Sequence, residues 1–191
     1  MAGRNPINLY EGIPRMESSP AHEHFQVRPA RPADVPSLLR MSWQLAVSQK
    51  TELTFRATEE DYLRDGFGQD RRFSAYVAER DQTVIGMVTY SDRYSTSLAS
   101  SFIYVQDIFV DDQHRQRGVA TALLARLAAE ATERRLPRIE LTMREGNPAA
   151  KVYRRCGFSR VPHCVTFAAA GQALVELAQQ LAEIGPTALG I

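Results

Sequence analysis

The sequence predicts one α+β domain built around a single mixed β-sheet. Some short segments have alternating or continuous apolar residues, which is typical of strands. Between them lie segments whose apolar residues recur at every third or fourth position, which is typical of helices. The chain has 191 residues, 44% of them hydrophobic, which suits one domain with one core. The sequence indicates neither an internal repeat nor a second domain.

Composition excludes several function classes. The formal net charge is +1, whereas a general nucleic-acid or membrane-surface binder would be basic. No apolar run approaches the ~18 residues that span a bilayer, and the N-terminus lacks the apolar segment of a signal peptide. Cys156 and Cys164 have neither the spacing of metal ligands nor that of a disulfide framework. We therefore expect reduced thiols, no metal and a cytoplasmic location.

The N-terminal region predicts a leader followed by the first strand. Residues 1–24 lack periodicity and are expected to form a flexible leader before a domain at residues 25–185 and a tail at residues 186–191. Alternation from Phe25 to Arg28 predicts the first strand of that domain.

Two helices follow this strand. Pro32 and Asp34 mark the start of the first helix, which runs to about Ser48. Thr58–Asp61 is a capping-box-like start for the second helix, which ends at Asp65–Gly68, where the glycines permit positive φ. The apolar face of the first helix consists of Val35, Leu38, Leu39, Trp43 and Ala46.

Three strands occupy the middle of the chain. Phe73–Glu79 and Thr83–Ser91 predict a strand pair across a tight turn at Arg80–Gln82. A polar, serine-rich loop at Asp92–Ser100 separates them from a long strand at Phe102–Val110.

The long strand contains a conflict in its pattern. Strict alternation would place Gln106 on the face of Ile108, and Asp107 on the face of Phe109. A polar pair in the middle of an apolar strand is costly unless its groups are satisfied. A β-bulge would turn the pair toward a cleft, and a partly exposed edge strand is the alternative. We favour the bulge, because a loop with functional features begins a few residues later.

That loop, Asp111–Arg117, leads into a helix that Gly118 opens. A loop of small and basic residues at a helix N-terminus can bind an anion, because its N–H groups are unpaired and the helix dipole adds partial positive charge. Gly118 lets a ligand approach the backbone, and Ala120 keeps the next turn slim. A plain connection with solvated arginines is the alternative. The apolar stripe of the helix consists of Val119, Leu123, Leu124, Leu127 and Ala131.

The C-terminal part predicts a strand, a short helix and closing elements. Pro137 breaks the chain, and Arg138–Met143 then alternates as a strand. Asn147 and Pro148 are expected as the N-cap and N1 residues of a helix that Gly157 ends. Two closing strands and a last helix are predicted at Phe158–Val161, Cys164–Ala168 and Gln172–Ile184, the helix with Leu174, Leu177, Leu181 and Ile184 inward.

Two motifs in this order resemble the signatures of the GNAT N-acetyltransferases. Arg115-x-x-Gly118-x-Ala120, directly after a Phe-Val strand, resembles the Arg/Gln-x-x-Gly-x-Gly/Ala loop of that superfamily. The segment from Asn147 to Phe158 resembles its second signature, a helix that begins at Asn and ends Tyr-x-x-x-Gly-Phe. The loop is not that of nucleotide hydrolases, since no Lys-Ser/Thr pair follows the glycine, and it lacks the three glycines of a dinucleotide fingerprint.

Further segments resemble the spermidine/spermine (diamine) N-acetyltransferase branch. They are Tyr62–Gly68, Gln106–Val110 and Tyr153–Gly157, and the likeness extends from Phe25 to about Ala182. The resemblance implies a GNAT-type fold with a mixed, mostly antiparallel sheet flanked by helices and splayed at the central strands. It also implies a homodimer.

The same resemblance implies that acetyl-CoA is the cosubstrate and assigns residues to it. The backbone of Ile108, Phe109 and Val110 would pair with the pantetheine arm as an added strand does. Asn147 would contact the cofactor near the splayed strands, and Tyr153 would protonate the departing thiolate. The pyrophosphate would lie on a loop formed by Arg115, Gln116, Arg117, Gly118, Val119, Ala120 and Thr121.

Acetyl transfer to an amine requires proton transfers that such residues can supply. An alkyl amine with a pKa near ~10 attacks a thioester only when it is neutral, so a group must take its proton. The phenol of Tyr153 can protonate a thiolate, and backbone N–H groups near Val110 can stabilise an oxyanion. The alternative for Tyr153 is an amphipathic tyrosine with its ring in the core.

The chain departs from the branch at two acidic positions, which affects substrate binding. Gln106 stands where the branch has Glu, and Gln49 stands where it has another acid. An amide is not a base and carries no charge for a cation. Asp107 and Glu52 remain as acids that could attract an ammonium group, or a water chain could take the proton. A buried structural carboxylate is the alternative for Asp107.

These observations lead to the hypothesis of an acetyl-CoA-dependent N-acetyltransferase for a primary amine of a small molecule, namely a diamine, a polyamine or an aminoalkyl amino acid. One alternative is another acceptor, such as a protein N-terminus, a lysine or an aminoglycoside. A second alternative, which Gln106 favours, is a catalytically weak module that binds acetyl-CoA as a sensor. We expect no nucleic-acid or membrane partner, and an acceptor pocket built from the loops Ser48–Arg56 and Asp92–Ser100.

Overall fold

One five-stranded sheet organises the computed structural model, which describes residues 24–161, 166 and 168–184. The predicted leader and tail therefore fall almost wholly outside the described residues, and the domain boundaries stay a prediction. The strands are β1 (Gln26–Pro29), β2 (Ser74–Arg80), β3 (Thr83–Ser95), β4 (Ser100–Val110) and β5 (Ile139–Leu141). They lie in chain order, antiparallel from β1 to β4, with β5 parallel to β4. This confirms a mixed, mostly antiparallel sheet.

Helices cover both faces of this sheet. They are α1 (Val35–Ser48) and α2 (Glu59–Phe67) on one face and α3 (Val119–Glu133) on the other; the described chain also contains α4 (Ala150–Arg155) and α5 (Gln172–Ile184). α1 and α2 pack against a cluster that includes Val77 and Met87, and α3 packs against one that includes Ile85 and Val88. Every residue of the apolar stripe predicted for α3 is buried. The sheet and helices α1–α4 belong to one compact unit that ends at Phe158, and α5 belongs to a second unit.

An arginine–carboxylate cluster fixes the start of α1. Arg28 on β1 donates to both carboxylate oxygens of Asp34, at 2.7 and 2.9 Å, and also to Glu79 on β2. Burial alone would raise the pKa of Asp34, but hydrogen bonds from Arg28 and from the N–H of Arg31 outweigh it and lower that pKa. The first helix therefore begins at an ionised carboxylate, where the sequence predicted its start.

Two stacked tyrosines share one carboxylate on α3. The rings of Tyr76 on β2 and Tyr90 on β3 are parallel, with centroids 5.8 Å apart. Both hydroxyls donate to the same oxygen of Glu130, at 2.8 and 2.6 Å, and Arg134 donates to the other oxygen at 2.9 Å. Burial alone would raise the pKa of Glu130, but these hydrogen bonds outweigh it and lower the pKa. The cluster holds the C-terminal half of α3 on the sheet.

The second helix begins as predicted and ends at Phe67, within the predicted Asp65–Gly68 segment. Thr58 and Asp61 form a capping box at the start of α2. The expectation of positive φ in the glycine turn is wrong, because Gly66 lies inside α2 and Gly68 has φ −71°. Gly66 is required to be small for another reason: a Cβ there would lie 2.8 Å from Cζ of Phe73.

The β3–β4 hairpin extends further than predicted. The two strands pair out to Ser95 and Ser100, so the loop expected at Asp92–Ser100 is reduced to a short tip. Polar residues can continue the strands here because they interact across the pair. The guanidinium of Arg93, for example, lies 3.3 Å from the ring centroid of Tyr104.

The first predicted closing strand is wrong. Phe158–Val161 has no regular structure. Gly157 turns the chain with φ 86°, and the ring of Phe158 then contacts Tyr153 instead of entering a sheet. Most of the second predicted closing strand, Cys164–Ala168, lies outside the described residues.

Three apolar side chains that were expected inward are exposed. Trp43 on α1 is 45% exposed and makes an edge contact with Phe55, while Leu174 and Leu177 on α5 are 55% and 57% exposed. The side chains of Leu181 and Ile184 lie outside the described part of the chain. Helical periodicity predicts an apolar face, but it does not identify the surface that covers that face.

Candidate active site

The central strands of the sheet separate in the middle of β4. β5 pairs with β4 only from Ile103 to Val105, whereas β4 continues to Val110. Beyond Val105, no strand of the described chain pairs with this edge of β4, while the other edge stays paired with β3. The structure therefore contains the splay that the resemblance implied. Residues 108–110, predicted to bind pantetheine, lie on the open edge.

A β-bulge lies where the strands separate. Tyr90 pairs with Val105 and the preceding residue, Thr89, pairs with Asp107, so Gln106 is the extra residue of β4. The predicted bulge is confirmed. Bulges bend a strand locally and re-aim its side chains, which here are those of a polar pair beside a cleft.

The bulge also resolves the conflict in the sequence pattern. Ile103 and Val105 belong to the same core cluster as Ile108 and Val110, although strict alternation would put them on opposite faces. Asp107 is thereby placed on the α1–α2 face, where its charge disfavours ionisation of Tyr62 on α2. One strand thus contributes to the α3 core on both sides of the bulge while presenting a carboxylate to the other face.

The loop after β4 has the geometry of the predicted anion cradle. Gly118 is the N-cap of α3 with φ 85°, and no side chain caps the helix. The N–H of Ala122 bonds to the carbonyl of Gly118 at 2.9 Å, so the amides of residues 118–121 have no partner within the helix. Gln116 also has positive φ, at 62°. An uncapped helix N-terminus with its dipole is suited to a pyrophosphate, whose binding here stays a prediction.

Arg115 supports this loop from its start. Its Nε donates to the carbonyl of Val110 at 3.0 Å, and its Nη2 lies 2.7 Å from a carboxylate oxygen of Asp112. Its guanidinium lies 5.5 Å from the ring centroid of Phe109. The Arg115 side chain is 51% exposed while it makes these contacts, so its role in anion binding stays a prediction. The side chains of Gln116 and Arg117 are exposed.

A salt bridge ties α1 to the first residue of the loop. Arg40 donates to both carboxylate oxygens of Asp111, at 2.9 and 3.1 Å. The N–H of Asp111 bonds to the carbonyl of Ile85 at 3.0 Å, so backbone and side chain are both held. Because the Arg40 side chain is 43% exposed, the pair adds little stability, but it fixes where the loop leaves the sheet.

Helix α4, which carries Tyr153, contacts the first turn of α3. The Sγ of Cys156 on this helix lies 3.9 Å from the Oγ1 of Thr121 in the first turn of α3. Tyr153 is half-buried against Phe158, with ring centroids 6.0 Å apart, and its hydroxyl bonds to no described residue. Burial raises the pKa of Tyr153, so its phenol stays protonated near neutral pH. A protonated phenol is therefore carried by the helix that contacts the first turn of α3.

Asn147 does not cap α4 in the way the sequence predicted. Its Oδ1 accepts from the N–H of Ala149 at 2.9 Å, and the helix begins only at Ala150. Asn147 and Pro148 therefore form a turn before the helix, because an Asn side chain readily bonds to the backbone N–H two residues later. Its contact with a cofactor stays a prediction.

The acidic residue of the bulge is held by the facing strand. The N–H of Asp107 donates to Oγ1 of Thr89 at 3.2 Å, and this hydroxyl donates to Oδ2 of Asp107 at 3.5 Å. Burial raises the pKa of Asp107, and the hydrogen bond from Thr89 opposes that rise. Gln106 is exposed and donates to Oγ of Ser91 at 3.1 Å.

The other predicted acceptor residues lie on the loop between α1 and α2. Oε2 of Glu52 is buried without a hydrogen-bond partner among the described residues. The carbonyl of Gln49 accepts a hydrogen bond from Arg144, in the loop after β5. The described contacts therefore do not join Glu52 or Gln49 to Asp107, and the role of these three residues in substrate binding stays a prediction.

Sequence reasoning missed the residues that support this site. Thr89 and Ser91 hold the bulged pair from β3, and Arg40 anchors Asp111. The two β3 residues carried a usable signal. They are polar positions that follow the apolar run Val84–Val88, at the spacing of one strand face, and they bond to the polar pair of the neighbouring strand.

Two searches for other kinds of site were negative within the described residues. His, Cys, Asp and Glu side chains form no group of three or more there that could hold a metal ion. None of the described helices has the length and apolarity that a bilayer span requires.

Comparisons with known proteins connect this geometry to a family. The profile of the acetyltransferase (GNAT) family matches residues 36–158. The thialysine N-epsilon-acetyltransferase of Mus musculus is 28% identical over 165 residues, 80% of this chain and 96% of that protein. The spermidine/spermine N(1)-acetyltransferase-like protein 1 of Homo sapiens is 30% identical over 113 residues, 56% of this chain but only 16% of that protein.

Solved structures with the same fold include an integron cassette protein from the mobile metagenome of V. cholerae. Its TM-score is 0.67 at 22% identity, covering 81% of this chain and 98% of that chain. An aminoglycoside N-acetyltransferase in complex with CoA has a TM-score of 0.62 at 21% identity, covering 79% of this chain and 98% of that chain. At these identities the likeness concerns the fold.

Proposed function

Because the chain belongs to the acetyltransferase (GNAT) family, we propose that it transfers the acetyl group of acetyl-CoA to a primary amine of a small molecule. The acceptor class that we propose is a diamine, a polyamine or an aminoalkyl amino acid. The observation that carries the proposal is the open edge of β4, which leads directly into the uncapped N-terminus of α3. An extended thioester arm and a pyrophosphate need these two features side by side.

Binding of the donor would use backbone groups more than side chains. The open edge at residues 108–110 offers main-chain donors and acceptors to the pantetheine arm, and the amides of residues 116–121 face the pyrophosphate. Arg115 would act by holding the loop on Val110 and not by free attraction, because its guanidinium is already engaged. Asn147 would contact the donor from the turn that precedes α4.

The acceptor amine would lie on the α1–α2 side of the splay. Asp107 directly precedes the open edge and lies on the α1–α2 face, and Glu52 has a buried oxygen that no described residue satisfies. An ammonium group would satisfy such an oxygen. The mouse relative's name describes acetylation at the side-chain amine of thialysine, which supports an aminoalkyl amino acid as one member of the acceptor class.

The reaction requires a proton acceptor for the amine and a proton donor for the leaving thiolate. The neutral amine nitrogen forms a bond to the acetyl carbonyl carbon in a ternary complex, and the carbon–sulfur bond breaks. The amine loses one proton to Asp107, directly or through water, since Gln106 cannot accept it. The leaving thiolate gains one proton from the hydroxyl of Tyr153. The proton on Asp107 then returns through water to the Tyr153 phenolate, so both groups recover their starting states and the products are an amide and a free thiol.

We also propose a cytoplasmic homodimer, which rests on the resemblance alone. Sedimentation equilibrium measures the mass in solution, and a monomer mass at micromolar concentration contradicts the dimer.

The experiment that tests the proposed function is thiol release from acetyl-CoA with a panel of amines. The panel contains putrescine, spermidine, thialysine, lysine, an aminoglycoside and a peptide with a free N-terminus. Saturable release with a diamine, a polyamine or thialysine supports the proposal. Release only with the aminoglycoside or the peptide favours the alternative acceptors. No release with any amine, combined with measurable CoA binding by calorimetry, favours the sensor module.

A variant pair tests the mechanism. Tyr153→Phe removes the phenol, and Thr132→Val, which deletes a hydroxyl on the exposed face of α3, is the control. We expect turnover to fall in the first variant and to stay unchanged in the second. Equal turnover in both variants would remove Tyr153 from the mechanism.

A further inference from the structure

Thr89 is a polar residue buried in β3 directly opposite the bulge. It is 3% exposed, and the neighbouring core positions Met87 and Val88 are apolar and fully buried. Its register partner is Asp107, the first residue of β4 after the extra residue Gln106. A buried hydroxyl in an apolar strand is costly unless it is hydrogen-bonded, so its partners show what it does.

Both partners of this hydroxyl belong to Asp107. The Oγ1 of Thr89 accepts the backbone N–H of Asp107 at 3.2 Å, and it donates its one hydrogen toward Oδ2 of Asp107 at 3.5 Å. The first contact is an ordinary hydrogen bond, and the second is at the upper limit of length. A threonine hydroxyl has one donor and two acceptor sites, so one group can serve both ends of the aspartate.

We propose that Thr89 is the positioning residue for Asp107: its hydroxyl holds both the backbone and the carboxylate of the bulged aspartate, and so aims the carboxylate at the acceptor amine. This inference rests on the proposed function, in which Asp107 receives the amine and its proton. The bulge alone leaves the aspartate free to rotate about its side-chain bonds, because no other described residue bonds to its carboxylate.

The same contact acts on the ionisation of the carboxylate. Burial raises the pKa of Asp107, and the Thr89 hydroxyl lowers it. The other titratable group that faces Asp107 is Tyr62 on α2, whose hydroxyl donates to Ser42 on α1 at 2.6 Å and stays neutral, because burial and the charge of Asp107 raise its pKa. No cationic side chain of the described residues contributes to the pKa of Asp107. Thr89 therefore supplies the polar stabilisation of the ionised form.

Thr89→Val tests the proposal, because valine has the shape of threonine without its hydroxyl. Thr89→Ser keeps the hydroxyl and serves as the rescue variant. Thr132→Val, on the exposed face of α3, is the matched control, since it also deletes a threonine hydroxyl that makes one hydrogen bond, to the carbonyl of Ala128 at 2.8 Å. The readouts are kcat/KM for the amine against pH, the dissociation constant of CoA, and the carboxyl pKa of Asp107 by carbon-13 NMR.

We expect Thr89→Val to lower kcat/KM for the amine about tenfold and to move the acid limb of its pH profile to higher pH. The pKa of Asp107 rises in the NMR titration, the affinity for CoA is unchanged, and Thr89→Ser restores the profile. In an Asp107→Asn background, Thr89→Val has little further effect, because the group through which it acts is gone. An unchanged pH profile and an unchanged pKa of Asp107 in Thr89→Val would overturn the proposal.

Two further results keep the test decisive. If Thr89→Val does not fold, the unmodified protein still provides a test: the Asp107 amide proton should be shifted as a hydrogen-bonded one and should follow the titration of its own carboxyl group. An Asp107 amide proton with the chemical shift of a solvent-exposed amide overturns the proposal. If the unmodified protein acetylates no amine, the proposed function has failed, whereas the NMR titrations of the two threonine variants still decide whether Thr89 positions Asp107.

Discussion

Replacing Gly86 with alanine is expected to disturb the cradle from beneath. Gly86 lies on β3 opposite Val110, and a Cβ there would lie 3.0 Å from Cγ1 of Val119, 3.2 Å from the carbonyl oxygen of Phe109 and 3.4 Å from Cγ2 of Val110. Favourable carbon–carbon contacts lie at ~3.5–4.0 Å, so the first residue of α3 must move away by about 0.5 Å. Val119 is followed directly by the amides that would face the pyrophosphate.

The size of the effect follows from this overlap. Adding a methyl group to a packed core costs about 1–3 kcal/mol, because side chains and backbone must shift. A cost of about 2 kcal/mol lowers the melting temperature by roughly 4–8 °C in a chain of this size. A displaced helix start also misplaces the amides of residues 118–121. Because these amides would face the pyrophosphate, we expect the dissociation constant of CoA to rise about tenfold.

Two measurements separate these effects. Circular dichroism gives the melting temperature, and titration calorimetry gives the dissociation constant of CoA. Gly171→Ala is the control, since Gly171 has φ 56° and an added Cβ would meet no atom within 4 Å, so its substitution causes backbone strain without overlap. A Gly86→Ala protein that melts lower but binds CoA normally would refute transmission through Val119. Unchanged values for both would refute the overlap itself.

Three other predictions concern single groups. Tyr153→Phe should lower kcat by about 10²–10⁴, the usual range for losing a general acid, with an unchanged dissociation constant for CoA by calorimetry; unchanged kcat would contradict it. Glu130→Gln should destabilise the protein in urea unfolding at neutral pH. The pKa of Glu130 is lowered in the folded state, so its ionised form stabilises the protein above the unfolded-state pKa, and this stabilisation is lost as the pH falls through the folded-state pKa. The difference in the free energy of unfolding between the variant and the unmodified protein should therefore shrink in acid. A difference that is constant with pH would contradict this. Arg40→Gln and Asp111→Asn should each weaken CoA binding slightly, by about 0.5–1 kcal/mol, and the double variant should be no worse than either single one, whereas additive losses would show that the two residues act separately.

Local patterns in the sequence were enough to locate the cradle. The apolar stripe of α3 repeats with helical spacing, and a glycine stands just before its first residue, so both the helix and its start followed from short-range rules. The bulge followed from a contradiction: Gln106 and Asp107 could not both fit the alternation of an apolar strand, and one extra residue removes that conflict.

What the sequence could not provide were contacts between distant segments. The salt bridge between Arg40 and Asp111 joins residues 71 positions apart, and neither local segment indicates the other. The β3–β4 hairpin was predicted too short because its outer part is stabilised by cross-strand pairs of polar residues and not by apolar alternation. The strand predicted at Phe158–Val161 had a suitable composition, but composition does not supply a neighbouring strand to pair with.

The short pairing of β5 has a consequence for motion in the domain. Only three residues of β5 pair with β4, and they follow a crossover that includes α3, whereas β2, β3 and β4 are joined to one another by short local turns. The last strand should therefore detach in a partial unfolding event that leaves the rest of the sheet intact. Such an event would widen the splay from its base. A ligand that bridges the two diverging strands would oppose it, so the donor would act as the missing part of the sheet.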